Sequence, residues 1–451
     1  MMRIRIRAVL VIAFTLTLGV YVYSRPLAAP PKQTSLARKG RDTLVIDGQW
    51  RFKTDPDKAG QSEGWEKAIP KDAKTTPIPA LWDTDAAPGY TGVAWYWREF
   101  ETPPQWKGQT VRLRFEAAAE SAQVWLNGTR LGEHIGGATP FEFNITAPLH
   151  VGAKNLLTVR MESNTKSAGG LWQGVMLMAH DEAYLSDVYV QSDAHGRVTA
   201  ATTLLNTSNN TGDATLEARI IGVNAPTKEL KRTRQNLHLT PALNITNLLI
   251  SIRGKDLQLW SPETPAIYAI QFVFRQGTDI LDTQETQFGF REFGYDKGAI
   301  TLNGVALILT ALALRQERPM VVASAEDTDK IRNIFQRAKD AKVNVLYLDA
   351  PTPALLRLAD EMGILIVEGA RPNQGAQATR DELRDLILRD RSHPSILAWS
   401  LGPMEGASIQ SLRQLDPSRF LLAGPPATPN LYPPYLTNAI SGPLPAGLLP
   451  R

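Results

Sequence analysis

The chain has 451 residues, 43% apolar and 21% charged, a composition that supports roughly two to four packed domains. Its 49 lysines and arginines barely exceed its 45 acids, so no nucleic-acid partner is implied. It has no cysteine, which excludes disulfide staples and thiolate metal sites, and its six histidines lie far apart without a His-x-x-x-His pair, so neither metal nor cofactor is implied.

Arg3, Arg5 and Arg7 precede the apolar stretch Ala8 to Tyr23, the pattern of an export signal. Residues 1–41 are therefore expected to be a signal peptide or membrane anchor followed by a tether, with the mature protein in the periplasm or at the cell surface. Leu27-Ala28-Ala29 offers a cleavage site, but Pro30 would follow the cut and disfavours processing. Retention would leave residues 8–23 as a membrane tether at the short limit of a span.

From residue 42 to 185 apolar and polar residues alternate in short runs broken by Gly and Pro. Trp95-Tyr96-Trp97-Arg98-Glu99-Phe100 and Val111-Arg112-Leu113-Arg114-Phe115 each keep period two, and Asn127-Gly128 is a strong hairpin signal. Two packed sheets are expected. Residues 186–290 continue with strands at Ala214 to Ile221, Leu248 to Ile252 and Ile267 to Phe274. The basic run Lys228 to Arg234 contains Glu229 and reads as a solvated face.

After Gly298 the period lengthens. Asp327 caps a helix with Ile331, Ile334, Phe335 and Ala338 on one stripe, followed by a buried strand over Val343 to Leu348. A helix over Ala354 to Met362 ends at Gly363 and feeds a strand over Ile364 to Val367. Thr379 and Glu382 form a capping box for a helix to about Arg391, and Ile396 to Leu401 is a strand. A last helix and strand run over Ser408 to Leu415 and Phe420 to Ala423. Helices alternating with apolar strands predict parallel βαβ units, about five strands in all, over residues 291–424. Residues 425–451 hold too many prolines for central strands. Two ways of covering the open edge follow: this proline-rich tail, or a partner chain or second copy that completes the sheet.

Several segments together resemble one known family. Gly64-Trp65, Pro79-Ala80-Leu81-Trp82, Tyr96 to Phe100, Val124 to Gly128, Leu131 to Gly137, Thr139 to Phe143 and Gly169 to Val175 are similar, in order, to the jelly-roll sugar-binding domain of glycoside hydrolase family 2, the β-galactosidase and β-glucuronidase family. Leu259-Trp260-Ser261-Pro262-Glu263 and Phe288-Gly289-Phe290-Arg291 resemble the end of that family's second domain, and Thr301-Leu302-Asn303-Gly304 its barrel entry. The resemblance implies a multidomain fold: a jelly-roll β-sandwich (42–185), an immunoglobulin-like β-sandwich (186–290) and a partial (β/α) TIM-type barrel (291–424).

The run Arg389 to Glu405 resembles the family's catalytic-acid segment, in which Trp-Ser-Leu-Gly is followed by Asn-Glu. Here Pro403-Met404 follows Trp399-Ser400-Leu401-Gly402, and a thioether can neither give nor take the proton that glycoside hydrolysis requires. No Glu follows Glu405 in which a nucleophile could be sought, and Asp416 lies in a segment resembling a helix end. Thr310 to Gln316, Leu346 and Asp349 replace polar residues that the family uses to hold sugar. Glu405 and Glu368 remain as catalytic candidates. Most tryptophans are expected in cores, with Trp82, Asp83 and Trp399 as the carbohydrate-binding candidates. The expected function is an exported, noncatalytic carbohydrate- or polysaccharide-binding or scaffolding protein. The alternatives are an active β-glycosidase using Glu405 or Glu368, and a structural subunit of an envelope polysaccharide assembly.

Overall fold

In the computed structural model, residues 40–82, 86–163, 169–222, 225–252, 257–314, 320–371, 376–401, 406–422 and 448–449 are described. The segment carrying the signal or anchor expectation therefore lies outside the described residues. Among the described residues no helix is long and apolar enough to cross a membrane.

The first sandwich packs a six-stranded antiparallel sheet, in the order Lys74–Ile78, Gly48–Thr54, Gly92–Glu101, Lys154–Ser163, Glu120–Leu126, Thr129–Gly136, on a four-stranded one. The second sheet runs Asp42–Val45, Val175–His180, Thr110–Phe115, Phe141–Asn144. Period two explains the packing. Ala94, Tyr96 and Phe100 of Gly92–Glu101 enter the core between the sheets with Leu113, Phe115 and Leu177. Val93, Trp95 and Trp97 point the other way and are covered by Trp65, Ala73 and Trp125. The hairpin at Asn127-Gly128 forms as predicted, with φ of 52° and 77°, the left-handed pair that a tight two-residue turn requires.

The second sandwich packs a three-stranded sheet (Ala183–Ser192, Arg197–Asn206, Ala242–Ser251) on a four-stranded one (Ala225–Leu239, Gly212–Gly222, Tyr268–Gln276, Asp279–Phe288) around Leu204, Leu216, Ile220, Ile250 and Phe272. The basic run is a salt-laced outer face: Arg232 pairs with Glu217 and Glu229, and Arg234 with Glu217.

The C-terminal layer is a sheet of five parallel strands, Ala311–Ala313, Val345–Asp349, Leu365–Gly369, Ile396–Ser400 and Phe420–Leu422. Between them run α1 (Ala325–Asp340), α2 (Pro353–Met362), α3 (Ala376–Asp390) and α4 (Gly406–Leu415). One sheet face packs on the helices, through Ile366, Leu346, Trp399, Phe335 and Leu383. The other, through Val345, Tyr347, Val367 and Phe420, packs on Phe293, Ile300 and Leu302 of a small hairpin sheet.

Three local readings are corrected. The N-cap of α1 is Ser324, whose hydroxyl accepts from the Asp327 amide, so Asp327 completes the capping box from inside the helix. Ile334 is 37% exposed and lies off the buried stripe of Ile331, Phe335 and Ala338. Helix α3 starts before Thr379, and Glu382 is an interior residue that accepts from the Arg371 amide and guanidinium. Gly363 ends α2 as expected, at φ 67°. At the sheet edge Leu448–Leu449 pairs antiparallel with Leu421 and Leu422, so a piece of the tail covers that edge.

Candidate functional site

The tips of the parallel strands are where a protein of this architecture places chemistry, because loops there can converge on one ligand. The five strands read ALA, VLYLD, LIVEG, ILAWS and FLL, and so carry two acids, Asp349 and Glu368. Register pairs Glu368 with Leu348 and Trp399, and Asp349 with Gly369. Register partners in a parallel sheet share a face, so the two carboxyl groups emerge on opposite faces. Glu368 points to the helix layer with Leu348 and Trp399, and Asp349 to the hairpin side with Tyr347, whose hydroxyl lies 3.2 Å from that of Ser400.

Glu368 is wholly buried, and neither of its oxygens has a hydrogen-bond partner among the described residues. Burial, reinforced by the neighbouring Asp390 carboxylate, pushes its pKa well above the ordinary glutamate range, against the pull of Arg389. Arg389, on the last turn of α3, grips Asp390 at two points, 2.7 and 2.6 Å, and comes only to 4.0 Å from Glu368. Its remaining donors go to the Ala138 carbonyl of the first sandwich, at 3.1 Å, and to the Pro351 carbonyl, at 2.6 Å. The Glu368, Arg389 and Asp390 cluster is therefore a joint between layers, with both carboxyl groups buried and Arg389 at the edge of the interlayer cleft. Sequence reasoning picked out Glu368 and missed its two partners. The adjacent Arg389-Asp390 pair, ahead of the turn into the fourth strand, was the available signal.

The other expected site residues fall as follows. Trp82 is 1% exposed, its ring packed on Phe52 and Tyr90, with its indole N–H donated to the Tyr90 carbonyl at 3.1 Å. Gly169 lies against the same ring so closely that a Cβ there would sit 2.0 Å from it. A ring enclosed in this way offers no face to a sugar. Trp399 is also enclosed, on the helix side, donating to Asp416 at 3.0 Å. All ten tryptophans are below 9% exposure, which extends the core expectation to every one of them. Asp83, Met404 and Glu405 lie outside the described residues. Asp416 accepts from Tyr189, Trp399 and Ser418; burial works against its ionisation, but Arg419 and these donors hold its carboxyl below the usual range. It ties the second sandwich to the parallel sheet. His393 is likewise structural, its ring bonded to Asp360 of α2.

A second concavity opens among the three layers. It is a cleft of about 1160 Å³ bounded by the outer face of the four-stranded sheet, the strands around residues 184–188 and 284–287 of the second sandwich, and the start of α2 and end of α3.

Two sandwiches followed by a helix-flanked parallel sheet make a three-layer multidomain architecture. Two family models fit the chain: glycosyl hydrolases family 2, sugar binding domain, over residues 44–199, and glycosyl hydrolases family 2 over residues 183–291. The chain belongs to this family. Among its relatives, a β-galactosidase of Thermoanaerobacter pseudethanolicus is 25% identical over 80% of this chain and 52% of its own length. A β-glucuronidase of Paenibacillus borealis is 25% identical over 86% of this chain and 73% of its own. The crystal structure of a Bacteroides uniformis β-glucuronidase superposes with a TM-score of 0.71 at 22% identity, covering 85% of this chain and 52% of that one. A Ruminococcus gnavus β-glucuronidase in complex with D-glucuronic acid gives 0.70 at 20%, covering 86% and 73%. These likenesses establish a shared fold. The chain spans about half the length of several of the relatives it matches.

Proposed function

We propose that this chain is a noncatalytic family 2 protein that is exported and binds carbohydrate. The observation that carries the reading is the opposed placement of Asp349 and Glu368, the two acids of its parallel strands. Retaining hydrolysis needs two carboxyl groups about 5 to 5.5 Å apart across one glycosidic bond, one attacking while the other shuttles protons. Carboxyls on opposite faces of one sheet cannot flank a common bond. Met404 stands where the family carries its acid, and a thioether does not titrate. In the same reading the second sandwich is immunoglobulin-like and the parallel sheet is a partial (β/α) barrel. Export rests on the basic and then apolar pattern of Arg3 to Tyr23.

Binding of the full chain to immobilised β-galactosides, β-glucuronides, β-mannosides and envelope polysaccharides tests the reading. Affinity for one class without release of 4-nitrophenol from the matching 4-nitrophenyl β-glycoside is expected. Sustained turnover abolished by Glu405→Gln would favour the active-glycosidase alternative. Absence of affinity for every glycan would leave the assembly-subunit alternative.

A further inference from the structure

The outer face of the four-stranded sheet carries a side-chain pattern that the family assignment does not use. Along Thr110–Phe115 and into Glu116, Arg112, Arg114 and Glu116 project to one side, and Glu142 of the neighbouring strand joins them. Arg114 bonds Glu116 at 2.6 Å and Glu142 at 2.8 Å; Arg112 bonds Glu142 at 2.6 Å and the Tyr184 hydroxyl at 3.2 Å. The result is a continuous ladder, Glu116, Arg114, Glu142, Arg112 and Tyr184, whose charged members are partly exposed on the wall of the interlayer cleft. From Arg112 to Glu116 it runs about 13 Å at roughly 3.3 Å per residue. Burial opposes ionisation of Glu142, but the Arg114 and Arg112 guanidiniums hold its carboxyl below the usual range.

Beside the ladder lies an apolar rail. On Val175–His180, Met176 is the register partner of Arg114 and Met178 that of Arg112, and both line the same cleft. The cleft walls carry arginines and acids in equal number. Such a surface repels neither charge and attracts neither strongly, while its fixed donors and acceptors suit a ligand rich in hydroxyls. The thioether rail suits the C–H face that a pyranose ring presents beside those hydroxyls. Trp172 also borders the cleft but is 1% exposed, so the thioethers and not an indole supply the cleft's apolar surface.

We propose that this ladder and rail form a binding site for a neutral oligosaccharide, lying between the layers on the outer face of the four-stranded sheet. The proposal rests on the carbohydrate-binding reading above and assigns its location and ligand class.

The test titrates methyl-labelled full-length protein with cellohexaose, mannohexaose, a β-1,4-galactohexaose and a hexagalacturonate. The Met176 and Met178 signals are assigned through Met176→Leu and Met178→Leu, and the core residue Met161 reports an intact fold. One neutral oligomer is expected to shift both rail signals and leave Met161 still. Arg114→Lys, which keeps the charge and loses the planar fork, is expected to weaken that binding at least tenfold with Met161 unchanged. If an oligomer binds without moving the rail signals, or Arg114→Lys leaves affinity intact, the cleft assignment is overturned while the carbohydrate-binding reading stands. Shifts with hexagalacturonate alone overturn the neutral class. Binding of none of the four, nor of any immobilised glycan, overturns both.

Discussion

Replacing Arg389 with Met keeps most of the side-chain volume and removes the one cation of the joint. Burial and the neighbouring Asp390 carboxylate raise the pKa of Glu368, and Arg389 comes only to 4.0 Å from it, so the loss falls chiefly on Asp390, which Arg389 grips at two points. Removing one partner of a buried pair costs about 3–5 kcal/mol, because the other charge stays buried. The Ala138 and Pro351 carbonyls also lose their donor, adding about 1 kcal/mol each. A multidomain chain does not unfold in two states, so the measurement is hydrogen exchange of Ile396–Ser400, which reports opening of this layer. At pH 7.5 the opening free energy is expected to fall by about 5 kcal/mol, or to the full stability of the layer if that is smaller. Arg389→Met with Asp390→Asn recovers most of the loss, because the Asp390 charge that Arg389 held is then removed with it. A loss below about 1 kcal/mol, or a double variant no better than the single one, would refute the claim that Arg389 acts as the counter-ion.

The same cluster sets a pH signature. Because the folded-state pKa of Glu368 is raised, the native state holds a proton that the unfolded chain releases; its contribution is complete below the ordinary glutamate range and is lost as pH rises through the folded value. Glu368→Gln is therefore expected to protect Ile396–Ser400 increasingly better than wild type as pH rises from 5 to 8, and a difference that is flat or shrinks with pH would contradict this. Trp82→Ala is expected to cost about 3–5 kcal/mol, measured as lost exchange protection in Gly48–Thr54, with glycan affinity unchanged. Pro403→Asn with Met404→Glu restores the family's acid segment but supplies no nucleophile, so 4-nitrophenyl β-glycoside hydrolysis should stay at background; clear turnover would mean that the chain holds a second usable carboxylate.

Where period and turn chemistry act locally, the fold was legible. The two sides of Trp95-Tyr96-Trp97, the turn at Asn127-Gly128 and the αL stop at Gly363 each follow from a few neighbouring residues. Helix starts were less so, because several nearby residues suit the same cap. Ser324 won over Asp327, and Arg371, 11 residues upstream and ahead of α3, drew Glu382 away from a capping role. Tryptophan exposure was legible only as a tendency, since Trp82 sits in a Gly- and Pro-bounded loop that looks open until Gly169 brings another segment across its ring.

The identity of the acids at the strand tips was plain, but their direction was not. In a strand buried on both faces, such as Leu365–Gly369, no hydrophobic alternation marks which side belongs to the helices, and a phase change of one residue exchanges the faces. The choice is set across the sheet, by pairing with Leu348 and Trp399 and by the Arg389-Asp390 pair waiting on α3. A family-like glutamate can thus persist at a strand end for the sake of packing two layers together. The criterion for catalysis is then a second carboxyl on the same face, which the described strand tips lack.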